Sequence, residues 1–439
     1  MRSLAAGATD DGCSGAPRRP SAIDHLLLSA LWLALYAQWL SILPVVMPDQ
    51  VAGIVGPDNP GKAGVVGTIA AAGALVSLLV APVAGALSDR LRARRGRRRP
   101  FLISGTLMTC AALMPLALPG LGGSVVVYAL VIVNLQIWWN WTAGAYAGLI
   151  PDVVAETERS EASAWLNVMV IAGTILGNAL VWALYRPDRV VALIAALIAL
   201  NLACLVLTLR AAREPPASGA PEAFDLRAFA RSFFLDPRAN ANIYWVLVTR
   251  LFANMGIWSV LTFLLFYIET VLGLDSEAAV RLLAMLLGAG AIAAIPASVL
   301  AARLAERHGL VRVVRVASWI MAAAVSCFVL IAFNPNLAIV AVLTLVFGAA
   351  NGAYGAVDWA LALKVLPAGR DAGKDMGIWH VSMVLPQIVG PTVIGWLITA
   401  IETSASPRIA YAAAFAVAAL WFTLAAALVN RVTVASRAR

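Results

Sequence analysis

The sequence predicts an all-α membrane protein of twelve transmembrane helices, arranged as two pseudo-symmetric six-helix halves. Three observations predict it. The 439 residues are 62% hydrophobic and 13% charged, whereas an ordinary soluble domain carries about 25% charged residues. Twelve apolar runs each approach or exceed the ~20 residues that a helix needs to cross the hydrocarbon. One polar stretch, 211–240, holds Pro215, Pro216 and Pro221 and falls between the sixth and seventh runs, where a linker divides the chain into halves.

Residues 1–25 form a polar tail rich in Gly, Ala and Ser, with no apolar segment of the signal-peptide kind. The first helix is expected at 26–48, where the apolar run meets Pro48-Asp49. The second, 63–87, lies between Lys62 and Asp89, and the third, 100–120, opens on Pro100 and stops at Pro119-Gly120. The fourth, 123–149, ends before Pro151-Asp152, and the fifth, 160–184, follows the acidic Glu156 and Glu158. The sixth, 189–210, closes the first half, 26–210. After the linker the second half, 241–430, repeats the layout with runs at 241–271, 278–304, 311–333, 335–363, 374–400 and 407–430, leaving 431–439 as a tail. Pro386 and Pro391, with Gly390 and Gly395, interrupt the eleventh run and fit a kinked helix.

Charge fixes the expected orientation. With loops assigned alternately and both termini inside, only Lys62, Arg186, Arg189, Arg281 and Arg408 of the 32 basic residues fall outside, and Arg250 falls within a span. Cytoplasmic loops carry the excess of Lys and Arg, so the basic pI of about 9.8 reads as topology rather than as affinity for nucleic acid. Cys13, Cys110, Cys204 and Cys327 are scattered, with no disulfide or metal spacing. The 29 Arg against 3 Lys suggest a bacterial protein, expected as a monomer in the plasma (inner) membrane with both tails in the cytoplasm.

The most informative loop is Gly85-Ala-Leu-Ser-Asp89-Arg90, continuing to Gly96-Arg97-Arg98-Arg99-Pro100-Phe101, with seven arginines in all. Gly85, Asp89, Arg90, Gly96, Arg98 and Arg99 match residue types of the Gly-x-x-x-Asp-Arg-x-Gly-x-Arg-Arg signature between helices 2 and 3 of the major facilitator superfamily, although four extra residues separate Asp89 from Gly96. The longer loop resembles the sucrose–proton and glycoside–cation symporter branch. The resemblance implies a secondary transporter working by alternating access, with this loop and Asp152 as a cytoplasmic gate. It also implies that helices 1, 4, 7 and 10 line a central cavity.

A faint internal repeat agrees. Ala84–Arg90 aligns with Ala301–Arg307, with Gly96 and Gly309 following, and Trp165–Gly177 resembles Trp379–Gly390. Parallel halves of this kind are related about an axis along the membrane normal.

Polar residues inside apolar helices are costly and mark a path or a helix contact. The candidates for substrate binding are Tyr36, Gln38, Asn134, Gln136, Asn140, Asn254, Trp258, Asn351 and Tyr354. Amides bond hydroxyls and aromatic faces cover sugar C–H surfaces, a composition that suits a neutral sugar or glycoside. The same tryptophans also serve as interfacial anchors, and lone Asn residues as helix–helix bonds, in other membrane proteins.

Asp358 is the acid read as lying well inside a span. Its depth in helix 10 and that of Arg250 in helix 7 agree within about 6 Å at 1.5 Å per residue, so the two are expected to pair. The pair is either a fixed structural bridge or the proton-coupling step, with His380 as the alternative proton carrier. No nucleotide-binding loop, metal-ligand spacing or nucleophile elbow is present in the sequence, so no enzyme, catalytic residue, cofactor or metal is expected. The expected function is proton-coupled symport of a sugar or glycoside; the alternative is export of a hydrophobic small molecule by proton antiport. A membrane-embedded enzyme would need clustered His or acids at one face, and a sensor would need a signalling domain.

Overall fold

The computed structural model describes residues 21–91, 96–118, 123–212, 214, 241–365 and 372–433, with the side chains of 241, 362, 363, 365 and 372–380 outside that description. Among the described residues are 12 helices long and apolar enough to cross a membrane. The first half holds α1 (Ala30–Val55), α2 (Lys62–Arg90), α3 (Arg99–Ala117), α4 (Val125–Val153), α5 (Glu156–Leu184) and α6 (Val191–Ala211). The second holds α7 (Ala241–Leu272), α8 (Ser276–His308), α9 (Leu310–Ile331), α10 (Leu337–Val365), α11 (Ala372–Glu402) and α12 (Pro407–Leu428). The tail 1–20, the linker 215–240 and the tail 434–439 lie outside the described residues. A short helix, Ala22–Leu28, precedes α1 and is closed by a reciprocal capping box between Ser21 and Asp24.

The main departure from the expected boundaries is at α1. It continues to Val55 instead of stopping at 48. The prolines there do not end it: a π-helical turn, Ile42–Val46, takes up Pro44, and Pro48 follows directly after that turn, in the first two residues of the α-helical segment Met47–Val55. Asp49 and Gln50 are thereby carried inside a helix. In α11, Pro386 and Pro391 are likewise accommodated within one continuous helix.

The two halves are built alike. A Cβ on Gly177 of α5 would collide with the backbone of Ala37 in α1, and one on Gly390 of α11 would come within 2.8 Å of the Met255 carbonyl in α7. A Cβ on Gly144 would press α4 on Ala81 of α2, and one on Gly352 would press α10 on Ala294 of α8. Small residues thus let the same helix pairs approach closely in each half. The repeat's two loop glycines, Gly96 and Gly309, both adopt the left-handed region, at φ of 106° and 86°, which an L side chain rarely enters.

One end of the bundle carries the loop 88–99 and is called here the basic end. At the opposite end α2 meets α11 across the halves. The Gly64 N–H donates to Thr399 Oγ1 at 3.1 Å, and Gly67 lies against the backbone of Pro391. Three turns along α2 toward the basic end, Leu75 is 54% exposed.

Candidate functional site

At mid-depth the halves meet through aromatic rings. Trp39 of α1 packs on Trp139 of α4, with centroids 4.6 Å apart, and meets Trp258 of α7 edge-on at 6.3 Å. The Trp139 indole N–H donates to the Leu35 carbonyl at 3.1 Å, which fixes the ring. Gln136 is 4% exposed, and the missing Cβ of Gly73 makes room for it: a Cβ there would come within 2.9 Å of the Gln136 Cγ. One turn on, Asn140 donates to the Gln136 carbonyl at 2.8 Å. A small cavity bounded by Leu43, Gln136, Trp258, Thr262 and Gln387 lies between the halves. These groups are uncharged and offer hydrogen bonds and ring faces, the chemistry that binds a hydroxylated neutral molecule.

Not every candidate joins this centre. Gln38 borders the centre, lining a second small cavity with Trp39, Gln136 and Trp139, but it is buried and its Oε1 accepts from Asn201 of α6 at 3.0 Å, within its own half. Asn134 is exposed on the stripe of α4 that carries Val127 and Leu130, and it accepts from the Trp138 indole. Tyr36 is half-buried with its ring 6.2 Å from Trp32. Asn254 donates to the Arg250 carbonyl at 2.9 Å and shares the stripe of α7 that carries Arg250 and Trp258. Asn351 is half-buried, one turn before Tyr354.

The pairing expected from depth is present. Arg250 Nη1 donates to Asp358 Oδ2 at 2.7 Å, and the side chains are 5% and 7% exposed. The Tyr354 hydroxyl donates to the other carboxylate oxygen at 3.2 Å. Arg250 also touches the thioether of Met383 in α11. A buried pair of this kind is stable only when its remaining hydrogen-bonding capacity is met, and Tyr354, one helical turn away on α10, meets part of it. The His380 side chain lies outside the described residues.

At the basic end, Arg98 is 4% exposed and is held on three sides. It donates to Asp89, to Ser88 Oγ and, at 2.8 Å, to Asp152. Arg97 also pairs with Asp152, and that hydrogen bond pushes the Arg97 guanidinium above its ordinary value. Glu214 was read from sequence as linker, yet its carboxylate accepts the backbone N–H of Arg98 at 2.7 Å and of Arg99 at 3.2 Å. It therefore caps the first turn of α3. Arg99 reaches back to the carbonyls of Leu209 and Ala212. Gly85 lies close to Gly144 of α4, and a Cβ on Gly96 would come within 2.7 Å of the Glu214 carboxyl carbon. Arg90 reaches the Ala86 carbonyl at 3.5 Å. These partners belong to the first half. The network therefore fastens α2, α3, α4 and the end of α6 to one another, with Asp152 meeting the arginines of the loop. Arg92, Arg94 and Arg95 lie outside the described residues.

The sequence reading passed over the opposite end. A cavity of about 860 Å³ opens there, lined by both halves, including Asp49, Gln50, Lys62, Glu269, Ser276 and Glu402. Asp49 accepts hydrogen bonds from Tyr185 and from Ser276. Burial pushes the Tyr185 phenol well above its ordinary value, so it stays protonated as a donor. Lys62 donates to the Pro57 carbonyl at 2.6 Å and sits over the Phe266 ring of the other half at 4.9 Å. Asp49 was missed because α1 was expected to end one residue before it. The polar pair Asp49-Gln50 directly after an apolar run was the available signal.

Comparison with known proteins agrees with this architecture. The model of the Major Facilitator Superfamily matches residues 27–372 and 280–438. The chain is 30% identical over 119 residues to the general alpha-glucoside permease of Schizosaccharomyces pombe (strain 972 / ATCC 24843); the match spans 24% of this chain and 22% of the permease. Among solved structures it is similar to the nucleoside transporter NupG, with a TM-score of 0.67 at 14% identity over 93% of this chain and 98% of that one. It is also similar to a D-xylose-proton symporter, with a TM-score of 0.65 at 15% identity over 92% and 97%. Identities this low speak for the fold alone.

Proposed function

The chain belongs to the Major Facilitator Superfamily, and from that premise we propose that it carries a sugar or glycoside across a membrane by alternating access, in symport with a proton. The observation that carries the reading is the Arg250–Asp358 pair, buried between α7 and α10 beside an uncharged centre of tryptophans and amides. Ionisable groups inside a membrane bundle are costly and are kept for ion or proton paths. A cation beside a buried acid favours its charged form, and removal of the cation favours protonation. Arg250 and Asp358 both belong to the second half, so a shift of α7 against α10 within that half during the transport cycle switches the acid's affinity for a proton.

The centre suits a neutral polyhydroxylated solute. Gln136 and Gln387 offer donors and acceptors, and Trp39, Trp139 and Trp258 offer ring faces. The 30% identity to an alpha-glucoside permease over 119 residues supports this substrate class. In this reading the basic end faces the cytoplasm, because loops rich in Arg are retained there. The Asp89–Arg98–Asp152 network acts as the rigid block on which the cytoplasmic gate is mounted. The test is uptake of radiolabelled glucosides and pentoses into proteoliposomes, with and without an imposed pH gradient. Accumulation that follows the gradient and collapses with a protonophore is the expected result. Uptake indifferent to the gradient would rule out proton coupling.

A further inference from the structure

Two consecutive residues leaving α5, Tyr185 and Arg186, face two consecutive residues that begin α8, Ser276 and Glu277. Asp49 of α1 lies between the first members of each pair. Its Oδ2 accepts from the Tyr185 hydroxyl and its Oδ1 from the Ser276 hydroxyl. Beside it, Arg186 Nε stands 3.1 Å from Glu277 Oε1, an oxygen that also accepts from Arg281 at 2.6 Å. Each carboxylate oxygen of Asp49 thus serves a different half of the protein.

Asp49 is firmly mounted in the first half. Tyr185 holds it from α5. The next residue, Gln50, donates to the Leu116 carbonyl of α3 at 2.8 Å and accepts from the fully buried Tyr128 of α4 at 3.0 Å. The contact with Ser276 is of another kind, because it crosses to the second half at the first turn of α8. The free N–H groups of a helix start favour a negative charge there, and Asp275 caps the same turn through Ala278 N at 2.8 Å. When the halves part, the Tyr185 and Gln50 contacts travel with Asp49 and the Ser276 contact breaks. The cavity at this end is lined by both Asp49 and Ser276, so water is at hand to replace the lost partner. That keeps the step close to balanced, as a reversible gate requires.

We propose that Asp49 is the latch of the gate at the end opposite the basic loop: its bond to Ser276, with Arg186–Glu277 beside it, holds that end shut. Release of the latch joins the cavity to the tryptophan–amide centre. The inference rests on the alternating-access reading above and assigns residues to a gate that the reading leaves unassigned.

The test measures conformation without any substrate. Nitroxide labels are placed at Asp58→Cys in the first half and Ser404→Cys in the second, in full-length protein whose four native cysteines are replaced. Pulsed electron–electron distances are then recorded in lipid nanodiscs. The expected result is that Asp49→Asn and Ser276→Ala each raise the ratio of long to short distances by about three- to tenfold, the size of one net hydrogen bond. The double variant should go no further than either single one, and Ser276→Thr, which keeps the hydroxyl, should match the parent. Unchanged distances in Ser276→Ala, which removes one oxygen and is the milder change should Asp49→Asn not fold, would overturn the latch. Sugar uptake by the same preparations separates the two claims. Uptake with unchanged distances sinks the latch alone, and shifted distances without uptake of any sugar leave the latch standing and sink the substrate reading.

Discussion

Arg250 of α7 and Asp358 of α10 are bonded at 2.7 Å with both side chains more than nine-tenths buried, and the hydroxyl of Tyr354 completes the carboxylate's second oxygen. A fixed bridge and a coupling pair look alike in one conformation, and they part company on mutation. Asp358→Asn mimics the protonated acid. It should abolish uphill accumulation driven by a pH gradient and keep exchange of labelled for unlabelled solute down a gradient. Accumulation against the gradient by Asp358→Asn would exclude this residue as the coupling group.

Removing the cation should cost more than removing the acid's charge. Arg250→Ala leaves Asp358 buried without its counter-ion, a loss of roughly 3–5 kcal/mol in buried pairs. Arg250→Ala/Asp358→Asn should recover part of that loss, as coupled neighbours do. Thermal unfolding in detergent reads the stability and exchange assays read the activity. Recovery of stability with no change in coupling would favour a purely structural bridge.

At the centre, the structure separates candidates that composition alone leaves equal. Gln136→Leu removes an amide from the lining that Gln136 shares with Trp258 in the small cavity. It should raise KM for the transported sugar by about three- to tenfold, the worth of one net hydrogen bond. Asn134→Leu, on the exposed stripe with Val127 and Leu130, should leave KM within twofold. Equal effects of the two would place the binding centre elsewhere.

Asp152 takes both Arg97 and Arg98, whereas Asp89 takes Arg98. Asp152→Asn should therefore lower transport more than Asp89→Asn, and Glu214→Gln should weaken it less than either, because an amide oxygen still accepts the backbone N–H groups of α3. Initial rates at saturating solute check the order. Wild-type rates in all three variants would reduce the loop to a topology signal.

Orientation is tested separately. With the basic end in the cytoplasm, Arg92→Cys in intact cells should resist a membrane-impermeant thiol reagent and Asp58→Cys should react. The reverse pattern would turn the protein over.

Helix number and the two-half repeat were legible in the sequence because they depend on length and polarity alone. Any twenty-residue apolar run satisfies its backbone internally as a helix, whatever its neighbours are. The Arg250–Asp358 pair was legible for a related reason: two opposite charges at one depth in hydrocarbon have few ways to be satisfied apart. What the linear pattern does not contain is azimuth and the meeting of distant ends. Asn134 and Gln136 are two residues apart on α4, and about 200° of helical rotation sends one to the exposed stripe and the other against Gly73. Gln38 finds Asn201 on α6 and Glu214 finds the start of α3, contacts that exist only once the helices have packed. The continuation of α1 through Pro44 and Pro48 depends on a π-helical turn that local residue preferences argue against. It brings Asp49 between Tyr185 and Ser276, and tertiary packing alone decides that meeting, because its three partners come from three helical segments of two halves.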